Sequence, residues 1–378
     1  MRIGAIITSF TAGGAEMLVA NLAERFVAGG HAVAVVALSD AAQVGNPPAT
    51  EAMMVARLRA AGAETRTLGL ANRNAWLRGG RRLRAALRAV RPDIIHSHTA
   101  RALPLIGVAR PGVPVVLTHH NSRLSFPPIA FRLFDHLVDG YVAISHRCEA
   151  VLQQHVRRPI RTIWNAADAR FQAQAPRAAM AKDPVILAVG TISRQKDYPT
   201  LIRAARLLAV ALERQGRRPL VRIAGAGPML PDLQALVAAE GAGTHVELLG
   251  ARGDVDALMR QADLFVNCSL WEGFPIALIE AAMSGLPIVA TQVAGNSEMV
   301  VPGMNGRLVP PSDPQALADA LLGIIGDEAG YATLSQGALR SAERFSIERC
   351  AEAHLAFYET LRGPERHAAA SRQVAAAE

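Results

Sequence analysis

The sequence predicts an α/β protein built as two parallel-sheet domains that face each other across a cleft. Three observations point there. Short runs of β-branched and apolar residues alternate with stretches of helical period along the whole chain. The rhythm breaks over WNAADARFQAQAPRAAMAKDP (164–184), which lacks a clean period, and then restarts. And 378 residues, 51% of them hydrophobic, exceed what one core usually serves.

In the first half, IGAII (3–7), AVAVVAL (32–38), DIIHSH (93–98), VPVVLTH (113–119) and GYVAIS (140–145) read as buried strands. Between the first two lies AEMLVANLAERFVAGG (15–30), which stops at Gly29-Gly30 as a helix should. In the second half, PVILAVG (184–190), RPLVRIAG (218–225), HVELLG (245–250), DLFVNC (263–268) and LPIVAT (286–291) read the same way. The expected division is an N-terminal domain over 1–170, a linker over 171–183 and a C-terminal domain over 184–345. A closing helix follows over 346–362, then a frayed tail over 363–378. In such sheets ligands bind outside the carboxyl ends of the strands.

The charge is uneven. Residues 1–175 hold 21 Arg and no Lys against 10 Asp and Glu, whereas the remainder holds 19 basic against 22 acidic residues. A basic half suggests an anionic partner: nucleic acid, a membrane surface or a phosphorylated substrate. The three cysteines, Cys148, Cys268 and Cys350, form neither a disulfide framework nor a zinc spacing, which points to a reducing compartment. The short apolar run at the N-terminus reads as a strand rather than a signal peptide. No stretch is apolar for long enough to span a bilayer.

Two places suggest phosphate chemistry. SFTAGGAE (9–16) follows the first strand and opens a helix, and Gly13 and Gly14 would let an anion approach its N-terminus. WEGFPIALIE (271–280) sets Glu272 in a loop, Pro275 in the first turn of a helix and Glu280 inside that helix. The backbone N–H groups of Phe274, Ile276 and Ala277 lie between the two carboxylates. An extended ligand with a polyol at each end and a diphosphate in the middle fits that pattern, as a nucleotide-sugar does. GAGPML (225–230) lacks the third glycine of a dinucleotide fingerprint, which disfavours an NAD enzyme.

This E-x7-E pattern resembles that of retaining GT-B glycosyltransferases, glycosyltransferase family four, whose domains are Rossmann-like. GGAE (13–16), RPDIIHSH (91–98), GTISRQKDYPTLIRA (190–204), GAGP, HVELLG, EAAMSGLPIVAT and AGNSEMVVPGMNGRLV (294–309) resemble further blocks of that family in the same order. The resemblance implies that Glu280 binds the ribose hydroxyls and Glu272 holds the donor sugar. It places Gly14 against the donor phosphate, Lys196 on the diphosphate, and His120 at the sugar and leaving phosphate. The loops at Gly225 and Gly250 would line the nucleobase pocket. The family's usual arginine after the glycine of the second-domain block is Thr191 here, with Arg194 three residues on. Asn296 stands where a second glycine is common.

Other features carry plainer readings. His96 and His98 share one strand face and read as structural, while His119 and His120 point to opposite sides. Asp254 reads as a helix N-cap rather than part of a metal-binding pair. RNAWLRGGRRLRAALRAVR (73–91) is either an arginine-dense helix that meets an anionic membrane or a helix with a charged outer face, and RLSFPPIAFRLF (123–134) reads as an acceptor loop with exposed aromatics.

The expected function is transfer of a hexose-type sugar from a UDP- or GDP-sugar to an acceptor hydroxyl. The acceptor would be a glycan or lipid-linked precursor, and the product a cell-surface polysaccharide or glycolipid. No metal, no other cofactor and no nucleic acid are expected. The location would be cytoplasmic, at the inner face of the membrane if lipid contact holds. The rivals are an epimerase or phosphorylase of similar fold and a degenerate transferase that only binds nucleotide.

Overall fold

The computed structural model describes residues 1–11, 13–71, 76–120, 124 and 126–375, with side chains as far as Gly363. The chain divides into two compact units, Met1–Trp164 with Ile347–Glu378, and Asn165–Ser346.

In the first unit, seven strands form one sheet: β1 (Arg2–Ile7), β2 (Ala32–Ala37), β3 (Glu64–Thr67), β4 (Ile94–Ser97), β5 (Val115–His119), β6 (Gly140–Ala143) and β7 (Ile160–Thr162). Their order is β3-β2-β1-β4-β5-β6-β7, and every pairing is parallel. The second unit holds β8 (Val185–Val189), β9 (Leu220–Ala224), β10 (Val246–Gly250), β11 (Leu264–Asn267), β12 (Ile288–Thr291) and β13 (Gly306–Val309). Their order is β10-β9-β8-β11-β12-β13, again parallel. Helices connect the strands, so the central strands are covered on both faces and read as continuous apolar runs. The order reverses between β1 and β4 in one sheet and between β8 and β11 in the other. A crevice opens at such a switch, at the carboxyl ends of the strands.

The sequence misses β3, β7 and β13. All are edge strands of three or four residues with polar or charged members, so no apolar run announces them.

The expected linker packs against the second unit. Ala173 N–H donates to Met283 O at 2.8 Å. Arg177 donates through its backbone to Ser335 Oγ and through its guanidinium to Met259 O, both at 2.8 Å. The C-terminal helix, Ile347–Ala375, returns to the first unit and is interrupted at Gly363, φ 66°. Helix therefore continues past the point where a frayed tail was expected, and residues 376–378 of that tail lie outside the described residues.

Two plainer readings need correction. Asp254 occupies the N-cap position of helix Val255–Gln261 but caps nothing. Both its oxygens accept from the Arg252 guanidinium, at 2.6 and 2.8 Å, because a charge-assisted bidentate pair two residues away outcompetes a neutral N–H. Over 123–134, of which 123 and 125 lie outside the described residues, Pro128–Phe134 is a helix. Its Phe131 is buried and Phe134 half-buried, and the large apolar side chains it exposes are the aliphatic Ile129 and Leu133.

Candidate active site

Loops at the switch point of the second sheet bring together most of the second-domain residues expected from sequence. After β8 the chain passes Gly190 and Thr191 and makes a short turn over Arg194–Lys196. After β11 it passes Ser269 and Glu272 and enters helix Ile276–Met283. Because β8 and β11 are hydrogen-bonded neighbours, the two loops meet. Lys196 Nζ lies 2.5 Å from Glu272 Oε1. Ser269 Oγ donates to the same oxygen at 2.6 Å. Gln195 Nε2 donates to Glu272 Oε2 at 3.3 Å and to Trp271 O at 2.9 Å. Glu272 is thus a buried carboxylate with every oxygen engaged, which is the condition for burying one.

Pro275 sits at the N-cap position, one residue before the helical turn expected for it. Phe274 O accepts from Asn165 Nδ2 at 2.6 Å, which fixes the entry to the helix. No described residue accepts from the N–H of Ile276 or Ala277. These donors and the helix dipole favour an anion there. Glu280 is buried on the same helix, one turn further in. Arg194 and Thr191 are exposed, and Arg194 pairs with no other described residue.

Glycines shape this end of the sheet. Gly225 N–H donates to Gly250 O at 2.8 Å, so the two predicted glycine loops adjoin. A Cβ on Gly225 would lie 1.9 Å from Gly190 O, and one on Gly227 would lie 2.2 Å from Ile192 O. The glycines of this stretch therefore serve close backbone approach to the loop that carries Lys196. Gly295 has the same role, since its Cβ would lie 2.5 Å from Gly273 O. Asn296 is buried and donates to Thr291 O at 3.0 Å and Asn267 Oδ1 at 3.4 Å. It ties the ends of β11 and β12 together, a task glycine could not perform. Sequence reasoning missed Ser269, Gln195 and Tyr198, whose hydroxyl reaches Gly190 O at 3.2 Å. No spacing rule marks them, although all flank the predicted residues.

The first unit carries its own constellation. Gly13 is the N-cap of helix Gly14–Ala28, and Glu16 lies in its first turn. Burial raises the Glu16 carboxyl to about 7. At the carboxyl ends of β4 and β5, His120 Nε2 lies 3.2 Å from His98 Nδ1. His96 engages both nitrogens within the fold, on Tyr358 Oη at 2.5 Å and Thr118 Oγ1 at 2.6 Å. His119 instead packs edge-on against Phe131, so the two adjacent histidines do diverge. Burial, reinforced by neighbouring histidines, holds His96 and His98 well below the ordinary imidazole range and His120 at about 3. His354 is held at about 4 by burial.

The family model for glycosyl transferases group 1 matches residues 170–340. That for Glycosyltransferase Family 4 matches residues 12–171. The chain belongs to this glycosyltransferase family. Among family relatives, a lipopolysaccharide core biosynthesis mannosyltransferase, LpsB, of Rhizobium meliloti is 29% identical over 236 residues, 59% of this chain and 66% of that protein. An exopolysaccharide phosphotransferase of Streptomyces coelicolor is 27% identical over 278 residues, 70% of this chain and 28% of the other. The match thus spans less than two thirds of either relative's length. Anabaena HepE, solved with UDP and glucose, superposes with a TM-score of 0.78 at 20% identity, covering 95% of this chain and 100% of that one. The fold is therefore GT-B, with two Rossmann-like domains.

The arginine-rich helix begins at Trp76 in the structure, and residues 73–75 lie outside the described residues. Leu83 and Leu87 are buried, so that part of its apolar stripe faces the core, while Trp76 and Leu77 are exposed. No described helix is long and apolar enough to cross a membrane.

Proposed function

We propose that this chain transfers a hexose-type sugar from a UDP- or GDP-sugar to an acceptor hydroxyl with retention of configuration. The acceptor is a glycan or lipid-linked precursor in polysaccharide or glycolipid synthesis. The observation that carries the reading is the Lys196–Glu272 pair beside the N–H groups of Ile276 and Ala277. As the bond from the anomeric carbon to the diphosphate oxygen breaks, negative charge grows on the leaving group. An ammonium and a helix N-terminus are suited to stabilise it. Glu272 then offers its carboxylate to sugar hydroxyls, and Glu280 to the ribose. Thr191 contributes a hydroxyl where the family has a cation, so Arg194, exposed on the same loop, supplies the second charge. With two side-chain cations on the diphosphate, the reaction needs no divalent metal. His120, neutral at working pH, contacts the sugar as an acceptor or donor of a hydrogen bond. The exposure of Trp76 and Leu77 at the start of a basic helix supports peripheral contact with an anionic membrane as part of this reading.

The UDP bound by Anabaena HepE makes UDP the first base to test. Thermal unfolding is followed with UDP, GDP and NAD, each with EDTA and with magnesium. Stabilisation by one nucleoside diphosphate that EDTA does not alter supports the proposal and names the base. No response to either diphosphate overturns it.

A further inference from the structure

The first sheet has a second charged site, at the end opposite its histidines. Arg2 opens β1, Pro92 and Asp93 precede β4, and Val113 and Pro114 precede β5. These amino ends border a cavity of about 990 Å³. Arg84, Arg88, Arg91, Arg110 and Arg362 also line it, with Asp93 as the only carboxylate among the described residues. That volume lies at the upper end of small-ligand pockets. β5 separates it from His120 by five residues, roughly 16 Å at the strand rise.

The carboxylate is already engaged. Asp93 accepts from the Arg2 backbone N–H at 2.7 Å and from its guanidinium at 3.5 Å. Arg84 donates to Ala109 O at 2.9 Å and to Val108 O, bonds that leave its charge uncompensated. Arg88, Arg91, Arg110 and Arg362 pair with no other described residue. Two of these sit where an arginine is costly. Arg91 and Arg110 follow the ends of helices Trp76–Val90 and Leu103–Ala109 with φ of 50° and 47°. That conformation favours glycine at a helix end. The chain keeps a long cation at both places, and both line the same cavity.

We propose that this cavity is an anion site, separate from the candidate active site, for a ligand carrying two or more phosphate groups. Guanidinium groups bind phosphate in a fixed fork, and several around one concavity select for more than one phosphate. The phosphates come either from a soluble oligophosphate or from clustered phospholipid headgroups.

The probe is inorganic tripolyphosphate, titrated calorimetrically at constant ionic strength. With the proposed diphosphate site saturated by UDP or GDP, wild type is expected to bind one per chain. Arg91→Gly/Arg110→Gly is expected to bind at least ten-fold more weakly with an unchanged or higher Tm, because glycine suits both backbones. Arg88→Gln, an exposed helix position, gives a second test with no backbone change. Lys196→Ala and the charge-matched control Arg206→Gln/Arg214→Gln are expected to bind as wild type. No binding by wild type, undiminished binding by the pocket variants, or equal loss in either control overturns the proposal. Flotation with vesicles of phosphatidylcholine and phosphatidylglycerol in equal parts then separates the sources. Arginine-dependent flotation displaced by tripolyphosphate supports the site with a headgroup ligand. Tripolyphosphate binding without flotation supports it with a soluble one.

Discussion

Lys196 Nζ and Glu272 Oε1 lie 2.5 Å apart although 76 positions separate them in the chain. Their side chains are 17% and 7% exposed, so the pair is largely withdrawn from water. In the proposed reaction the lysine must turn from this carboxylate to the diphosphate. Lys196→Ala is expected to lower turnover about 100- to 1000-fold, the usual cost of removing one group that stabilises developing charge. It also leaves Glu272 without its cation, at a cost on the order of 1–3 kcal/mol. Glu272→Gln keeps partners at Ser269 and Gln195 and should cost less stability while still losing turnover. Single-turnover kinetics and chemical denaturation of both variants and the double mutant check this.

Thr191→Arg adds the family's usual arginine to the loop on which Arg194 supplies the second charge in the proposed reaction. We expect it to tighten nucleoside-diphosphate binding and raise turnover, and Arg194→Ala to lower both. If Arg194 substitutes for the missing arginine, its removal should be about ten-fold or less harmful in the Thr191→Arg background. Calorimetric titration of UDP and GDP against the four proteins decides it.

Gly225→Ala and Gly295→Ala should each destabilise the second unit by roughly 2 kcal/mol or more, since a Cβ at either would overlap a carbonyl oxygen of a neighbouring loop. Gly243→Ala is the control. Its Cβ meets nothing within 4 Å, so it should be neutral or slightly stabilising. Urea denaturation reports all three.

The first unit should be labile in acid. His96, His98, His120 and His354 are all held below the ordinary imidazole value when folded. The unfolded chain therefore takes up protons first as pH falls below about 6.5, and stability is lost from there downward. Glu16 works the other way. Its folded value of about 7 favours the fold as pH falls from 7 to 4.5, by on the order of 1–3 kcal/mol. Four histidines shifted in the one direction outweigh one carboxyl shifted in the other. The Tm should decline between pH 6.5 and 4, and Glu16→Gln should raise it at pH 8. Calorimetric scans across that range check both signs.

Alternation of apolar runs and helical periods determined the two parallel sheets, because hydrophobic period and glycine stops are local properties. The glycine turns and the loop-then-helix pattern of WEGFPIALIE located Gly13, Gly14, Glu272 and Glu280, and the family resemblance located Lys196 and the loops at Gly225 and Gly250. Tertiary structure decided the rest. Only the placement of β8 beside β11 makes Lys196 and Glu272 partners. Only the return of the C-terminal helix to the first unit brings Tyr358 onto His96. Leu83 and Leu87 could have faced lipid or core, and packing chose the core. The arginines around the amino ends of β1, β4 and β5 are scattered from position 2 to 362. They converge because parallel strands align all their amino ends on one edge, which no local pattern records.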